Sequence, residues 1–121
     1  MKIFLTGATG YIGGSVADRL LRDGHEITGL VRSEAGAQQI RARGMRAVLG
    51  SLDDAQVIGQ AAREADAVVD TAEANHAGVV AALVAALRGS GKPFLHTSGS
   101  GIVGSVANGE RRDEIYDEYT A

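Results

Sequence analysis

Short apolar segments alternate with helix-like segments along the 121 residues, which predicts an α/β fold built on a parallel sheet. Five such segments recur at similar intervals, with a helical pattern between each pair. They lack the regular polar alternation of strands that have one face in water, which is typical of strands covered on both faces. Helical crossovers between parallel strands give a doubly wound sheet, for which we expect the strand order 3-2-1-4-5.

The predicted strands are short and rich in β-branched, aromatic or other apolar residues. They are residues 2–6, 26–31, 46–49, 67–71 and 93–97. Asp70 stands out because it is a carboxylate in an otherwise apolar strand. If its side chain points inward it needs a partner, and the sequence does not identify one.

The predicted helices are residues 11–23, 33–43, 53–64 and 75–88. In the first, Ile12, Val16 and Leu20 recur at helical spacing, and Gly24 is a C-terminal stop. Asp53 and Asp54 suit the N-terminus of the third helix.

The fourth predicted helix is apolar nearly all the way round. Its large apolar residues are Val79, Val80, Leu83, Val84 and Leu87, with alanines between them. A helix covered on one side has a polar opposite face, so this pattern predicts cover from the sheet and from a second partner. The alternative is that an alanine-rich helix merely looks apolar.

Composition excludes several classes of function. Hydrophobic residues are 45% and charged residues 22%, which is typical of a globular protein, and no window reaches the roughly 18 apolar residues of a membrane span. A net charge of −3 and 4% aromatic residues argue against nucleic-acid binding. Cysteine is absent and His25, His76 and His96 lie far apart, so we expect neither a disulfide nor a metal site. The expected compartment is the cytoplasm.

The first predicted strand ends in a glycine-rich segment that reads TGATGYIGG. Its glycines form the pattern G-x-x-G-x-x-G between a strand and a helix, a variant of the dinucleotide fingerprint of Rossmann-type folds. Gly7 permits a tight turn, Gly10 leaves room for a pyrophosphate, and Gly13 lets the helix pack close to the strand. The amides of Tyr11 and Ile12 then point outward, where the helix dipole favours phosphate. The alternative is a glycine-rich turn that holds no ligand.

The end of the second strand bears on which dinucleotide binds. NAD-binding versions of this fold place an Asp or Glu there, on the ribose 2′-hydroxyl. Here the strand ends in Val31, Arg32 and Ser33. Arg32 can pair with a 2′-phosphate and Ser33 can donate a hydrogen bond to it, which favours NADP over NAD. NAD stays open because Glu34 is close, and the alternative for Arg32 is a solvated surface charge.

The glycine segment resembles the start of an extended or atypical short-chain dehydrogenase/reductase, and more narrowly the NAD(P)-dependent epimerase/dehydratase group. The likeness continues through DAVV at residues 66–69 to KPFLHTSG at residues 92–99. It implies an NADP(H)-binding domain and a parent protein that is an oxidoreductase or epimerase.

Carried over residue by residue, the resemblance implies a set of cofactor contacts. Those along the pyrophosphate are Gly7, Thr9, Gly10, Tyr11 and Ile12, with Gly13 beneath them. Arg32 and Ser33 would contact the adenosine ribose, and Ser51 and Leu52 the adenine. Thr71, Ala72 and Glu73 would lie under the nicotinamide ribose. Ser51 departs from the family's usual Asp.

The family's catalytic pair is missing. In the family a Lys four residues after a Tyr lowers the pKa of the phenol, but none of the three tyrosines here is followed by a Lys at that spacing. The lysines are Lys2 and Lys92. Ser98 and Ser100 are candidates for the family's catalytic hydroxyl, and neither can be chosen. We therefore assign no catalytic residue and expect the chain by itself to be inactive.

The resemblance also bears on domain organisation. Residues 1–121 are expected to be one Rossmann domain that is truncated before the sixth strand, with residues 110–121 as the start of a longer loop. In the family the outer side of the fourth helix packs against a later helix. Self-association through the fourth helix or the exposed edge strand is therefore expected. The alternative function is a non-catalytic module for dinucleotide sensing or protein interaction.

Overall fold

A computed structural model describes residues 1–72 and 77–97 of the chain. The elements in chain order are β1 (Lys2–Thr6), α1 (Tyr11–Arg22), β2 (Glu26–Val31), α2 (Glu34–Arg41), β3 (Arg46–Leu49), α3 (Ala55–Glu64), β4 (Ala67–Asp70), α4 (Ala77–Leu87) and β5 (Phe94–His96). All strand pairings are parallel, and the order across the sheet is β3-β2-β1-β4-β5. The predicted fold class and strand order are confirmed.

The sheet separates two apolar cores. On one face, Ile3 and Leu5 of β1 pack with Ala17 of α1 and Ile40 of α2. On the other, neighbouring strand residues such as Phe4 pack with side chains of α3 and α4. The helices thus change side between β1 and β4. In doubly wound sheets this change opens a crevice at the carboxyl ends of the two strands, where ligands bind.

Helix α1 begins at Tyr11 as predicted, whereas α2 and α3 begin later than predicted because polar side chains cap them from outside. The Ser33 hydroxyl accepts from the Gly36 amide at 3.1 Å, so Ser33 precedes α2. The Asp54 carboxylate accepts from the Val57 amide at 3.3 Å, so α3 begins at Ala55. A cap residue has a non-helical backbone, which removes it from the helix. The predicted start of the fourth helix at residue 75 lies outside the described residues.

Helix α4 is covered on one side. Val79, Leu83 and Leu87 are buried against the sheet and α3, whereas Val84 is 44% exposed. The exposed residues beside Val84 are Ala81 and Ala85, so this face of α4 is apolar in the described chain. The cover expected from the sheet is therefore present. Among the described residues, no helix combines the length and apolar character needed to cross a bilayer.

The start of α1 approaches the ends of β1 and β4 more closely than any side chain would permit. A Cβ built on Gly13 would lie 2.0 Å from the Gly7 carbonyl oxygen and 2.6 Å from the Thr71 hydroxyl. Gly7 has φ +76°, and a Cβ there would also meet Thr71 at 2.6 Å. Thr71 is held in place by donating a hydrogen bond from its hydroxyl to the Thr6 carbonyl, at 2.7 Å. The start of α1 therefore packs directly against the backbone of Gly7, with no side chain between them.

Replacing Gly13 with alanine is expected to destabilise the fold, although alanine normally stabilises a helix relative to glycine. The methyl group would meet backbone, so α1 must move, at a cost of about 1–3 kcal/mol in the free energy of unfolding. Urea denaturation would measure this change. Gly59→Ala is the matched control in α3, because its nearest neighbour is the flexible end of Arg63 at 3.3 Å. Equal stability of the two variants would contradict the close-approach argument.

Candidate functional site

A cavity of about 540 Å³ opens at the carboxyl edge of the sheet. This volume falls within the usual range for small-molecule and cofactor sites. Its lining comes from the glycine loop, the ends of β2, β3 and β4, and the first turns of α2. The lining residues are Gly7, Thr9, Gly10, Leu30, Val31, Arg32, Ser33, Ala35, Gly36, Gln39, Gly50, Leu52, Thr71 and Ala72.

The glycine loop presents open backbone to the cavity. The Gly10 amide donates to the Gly7 carbonyl at 3.0 Å, which closes the turn. A Cβ on Gly10 would come no closer than 3.4 Å to that carbonyl, so the space above Gly10 is free of described atoms. Gly10 caps α1 without a side-chain hydrogen bond, and the first turn of α1 contains no acidic residue. The positive end of the helix dipole thus faces the loop, an arrangement that suits an anion.

The charged side chain in the cavity lining lies at the far end of the cavity, where β2 ends. Arg32 is exposed and is the charged member of the described lining, which contains no Asp or Glu. Glu34, whose proximity kept NAD open, does not line the cavity and accepts from Arg41 at 2.9 Å. The Ser33 hydroxyl oxygen is engaged by the Gly36 amide, and its hydrogen can still donate elsewhere. This end is therefore suited to a phosphate.

Between Arg32 and the glycine loop the wall is apolar. Leu30, Val31 and Leu52 line it beside Gly50. The Gly50 amide donates to the Val31 carbonyl at 2.9 Å, which holds the ends of β2 and β3 together. Apolar side chains around a space beside a cation can accept a flat aromatic base.

A row of polar side chains lies at the carboxyl ends of three neighbouring strands, β1, β4 and β5. Asp70, which lacked an identified partner in the sequence, is 1% exposed and accepts a hydrogen bond from the Thr6 hydroxyl. Its Oδ1 also accepts from the Ala72 amide at 3.3 Å, and its Oδ2 lies 2.8 Å from Nδ1 of His96. The buried carboxylate is thereby satisfied from three sides.

Comparison with known proteins shows which family the chain belongs to. A family model described as NAD(P)H-binding matches residues 7–121, which is most of the chain. The chain belongs to the NAD(P)H-binding family. The resemblance to short-chain dehydrogenases and reductases of the epimerase/dehydratase group is confirmed.

Two curated relatives and one solved structure illustrate the likeness. An uncharacterised protein of Schizosaccharomyces pombe is 36% identical over 126 residues, covering 95% of this chain and 42% of the relative. Oxidase ucsJ of Acremonium sp is 40% identical over 130 residues, covering 97% and 37%. The structure of AtPrR2 with NADP+ and (+)pinoresinol is 28% identical with a TM-score of 0.61, covering 78% and 35%. The chain thus spans well under half of each similar protein.

Most of the residues expected to touch the cofactor line the cavity of this NAD(P)H-binding domain. They are Gly7, Thr9, Gly10, Arg32, Ser33, Leu52, Thr71 and Ala72. Tyr11 and Ile12 are exposed at the start of α1, and Gly13 is buried beneath the loop. The Ser51 hydroxyl accepts from the Asp53 amide at 3.2 Å and does not line the cavity. Glu73, His76, Ser98 and Ser100 lie outside the described residues.

Sequence reasoning missed the contribution of α2 to the cavity. Ala35, Gly36 and Gln39 line it, with Gly36 and Gln39 on one face at helical spacing. Their spacing of three residues places them on one face of the predicted helix. The sequence does not show that this face turns toward the end of β2, which depends on how α2 packs on the sheet.

Proposed function

We propose that the cavity binds NADP(H) in preference to NAD(H). The observation that carries this proposal is Arg32, an exposed cation that lines a cavity whose described wall has no carboxylate. A guanidinium pairs well with a 2′-phosphate, whereas NAD-binding versions of the fold use an acid at this point. The ion pair between Glu34 and Arg41 supports the preference, since it occupies the acid nearest to the end of β2.

The proposed pose follows the cavity from end to end. The 2′-phosphate lies at Arg32 and Ser33, and the adenine packs beside Leu52, which Ser51 precedes in the chain. The pyrophosphate lies over the glycine loop, against the amides of Tyr11 and Ile12, because an anion is favoured at the first turn of a helix. Gly7, Thr9 and Gly10 line this stretch, and Gly13 permits the approach. The nicotinamide ribose then lies over Thr71 and Ala72, which line the cavity. The contact expected at Glu73 falls outside the described residues.

Similarity adds support for NADP. AtPrR2, whose structure contains NADP+, shares 28% of its residues with this chain over the aligned region. By analogy, the whole protein from which such a domain comes would be an oxidoreductase or epimerase that uses this cofactor. We also propose a cytoplasmic location, where the reduced cofactor is available.

Calorimetric titration with NADPH and NADH is expected to show tighter binding of NADPH to the wild-type chain. Arg32→Ala should weaken NADPH binding by about 10- to 100-fold, since hydrogen bonds to charged groups are worth about 1.5–3 kcal/mol, and should leave NADH nearly unchanged. Arg46→Ala is the matched control, because it removes the same charge at the opposite edge of the sheet. Equal affinity of wild type for the two nucleotides would overturn the preference, and no binding of either would favour the interaction module.

We further propose that this chain by itself does not catalyse hydride transfer. Proton transfer in the resembled family depends on a Tyr and a Lys spaced four residues apart, and the sequence has no such pair. Purified chain mixed with NADPH and a panel of aldehydes and ketones should show no loss of NADPH absorbance above the protein-free rate. Oxidation of NADPH at enzymatic rates would contradict this proposal.

The second candidate, an interaction module, is favoured by one observation. Ala81, Val84 and Ala85 form an exposed apolar face on α4, and Leu95 of β5 is 65% exposed. We propose that the chain self-associates through this side, since such faces mark contact sites. Sedimentation should show dimers at tens of micromolar for wild type and monomers for Val84→Lys, with Gln38→Lys on α2 as the control. A monomeric wild type would contradict the proposal.

A further inference from the structure

Thr6, Asp70 and His96 form a straight row across three neighbouring strands. Thr6 pairs in register with Asp70, and Asp70 pairs in register with His96. Residues paired in register point to the same face of a sheet, here the face of α3 and α4. Thr6 and Asp70 are buried, whereas the His96 side chain is 26% exposed. The row therefore leads from the interior to an imidazole that solvent or a ligand can reach.

The hydrogen bonds of Asp70 indicate which nitrogen of the His96 imidazole carries the proton. The Thr6 hydroxyl and the Ala72 amide both donate to Oδ1 of Asp70, which suits an ionised carboxylate. In the ionised carboxylate Oδ2 is an acceptor as well, so Nδ1 of His96, at 2.8 Å, is then the donor. In the neutral ring this leaves Nε2 without a hydrogen and able to accept one. Asp70 thus sets both the orientation and the tautomer of His96.

Stability alone is a poor explanation for this arrangement. A buried carboxylate loses its hydration, and well-packed apolar side chains at the same place are often equally or more stabilising. The sheet already joins the three strands by backbone hydrogen bonds, including one from the Thr97 amide to the Asp70 carbonyl at 2.9 Å. A buried acid that aligns a part-exposed imidazole is instead typical of a site that handles a ligand.

In the proposed pose, the second nucleoside of the dinucleotide passes over this row of side chains. Gly7 follows Thr6 directly, and Thr71 and Ala72 follow Asp70, and all three line the cavity. With the 2′-phosphate at Arg32 and the pyrophosphate over Gly10, the second nucleoside has to extend away from β2, over the ends of β4 and β5. Its hydrogen-bond donors are the ribose hydroxyls and the carboxamide.

We propose that Asp70 is a positioning residue and that Nε2 of His96 accepts a hydrogen bond from the second nucleoside of the bound dinucleotide. The proposal rests on the proposed NADP(H) binding and adds a recognition residue on β5, which lies outside the described cavity lining. The recognised chemistry is a neutral donor, a hydroxyl or an amide, and not a phosphate.

Two ligands separate this role from a structural one. NADP+ carries the second nucleoside, whereas adenosine 2′,5′-bisphosphate carries the 2′-phosphate end alone. His96→Asn retains a side-chain amide near the place of Nδ1, which can still donate to Asp70, and removes Nε2. It should bind adenosine 2′,5′-bisphosphate as wild type does and bind NADP+ about 3- to 10-fold more weakly, the worth of one neutral hydrogen bond. Equal weakening for both ligands, or no weakening for either, overturns the proposal.

A spectroscopic measurement keeps the proposal testable even if variants fold poorly. In wild-type chain, imidazole ¹⁵N spectra should report His96 with Nδ1 protonated and Nε2 bare, and NADP+ should shift the Nε2 resonance while adenosine 2′,5′-bisphosphate does not. Asp70→Asn should reverse the tautomer, because its amide nitrogen can donate to Nδ1. If the Nε2 resonance of His96 does not shift at saturating NADP+, the recognition role of His96 is overturned. Wild-type chain that binds neither ligand would instead refute the proposed function.

Discussion

The close approach of α1 to the ends of β1 and β4 is the constraint on which the rest of the site depends. Gly13 sits where any side chain would collide with the Gly7 carbonyl, and Gly7 itself turns with positive φ against Thr71. Because no side chain separates helix from strand, the N-terminus of α1 faces the carboxyl edge of the sheet at short range. The unsatisfied amides of a helix start and the positive end of its dipole are thereby directed to one place. A bulkier contact would push the helix away and spread these groups apart.

The doubly wound topology then brings the other polar groups to the same edge. In a parallel sheet all carboxyl ends lie together, so Arg32 at the end of β2 and Thr71 at the end of β4 share one cavity although 39 positions separate them in the sequence. The row of Thr6, Asp70 and His96, which is buried at its first two members, lies at that edge for the same reason. A helix start suited to an anion, a surface cation and a satisfied buried acid therefore lie at one edge of the sheet, and among the described residues the opposite edge carries none of the predicted contacts.

The sequence was sufficient for the fold because the apolar strands, the glycine loop and the helix stops all indicate the same architecture. It also singled out the glycine loop and Arg32, which line one cavity in the structure, and their contacts with the cofactor stay a prediction. It could not supply the partners of Asp70, since Thr6 is 64 positions away and His96 is 26, and only the register of three strands aligns them. The cavity face of α2 was missed because periodicity shows which residues share a face but not which face turns toward the end of β2. On α4, the apolar pattern predicted cover from the sheet, which is present, and from a second partner, which stays a prediction; Val84 is exposed.

In the proposed pose, the start of α1 and the end of β2 bind the two phosphate-bearing parts of one dinucleotide. The most direct test is to follow the backbone amide resonances of ¹⁵N-labelled chain as NADP+ is added. We expect the largest shifts at Gly10, Tyr11 and Ile12, together with Arg32, and little change at Glu26 and Arg46 on the amino edge of the sheet. Shifts confined to the amino edge, or none at all in a chain whose spectrum is that of a folded protein, would contradict the claim.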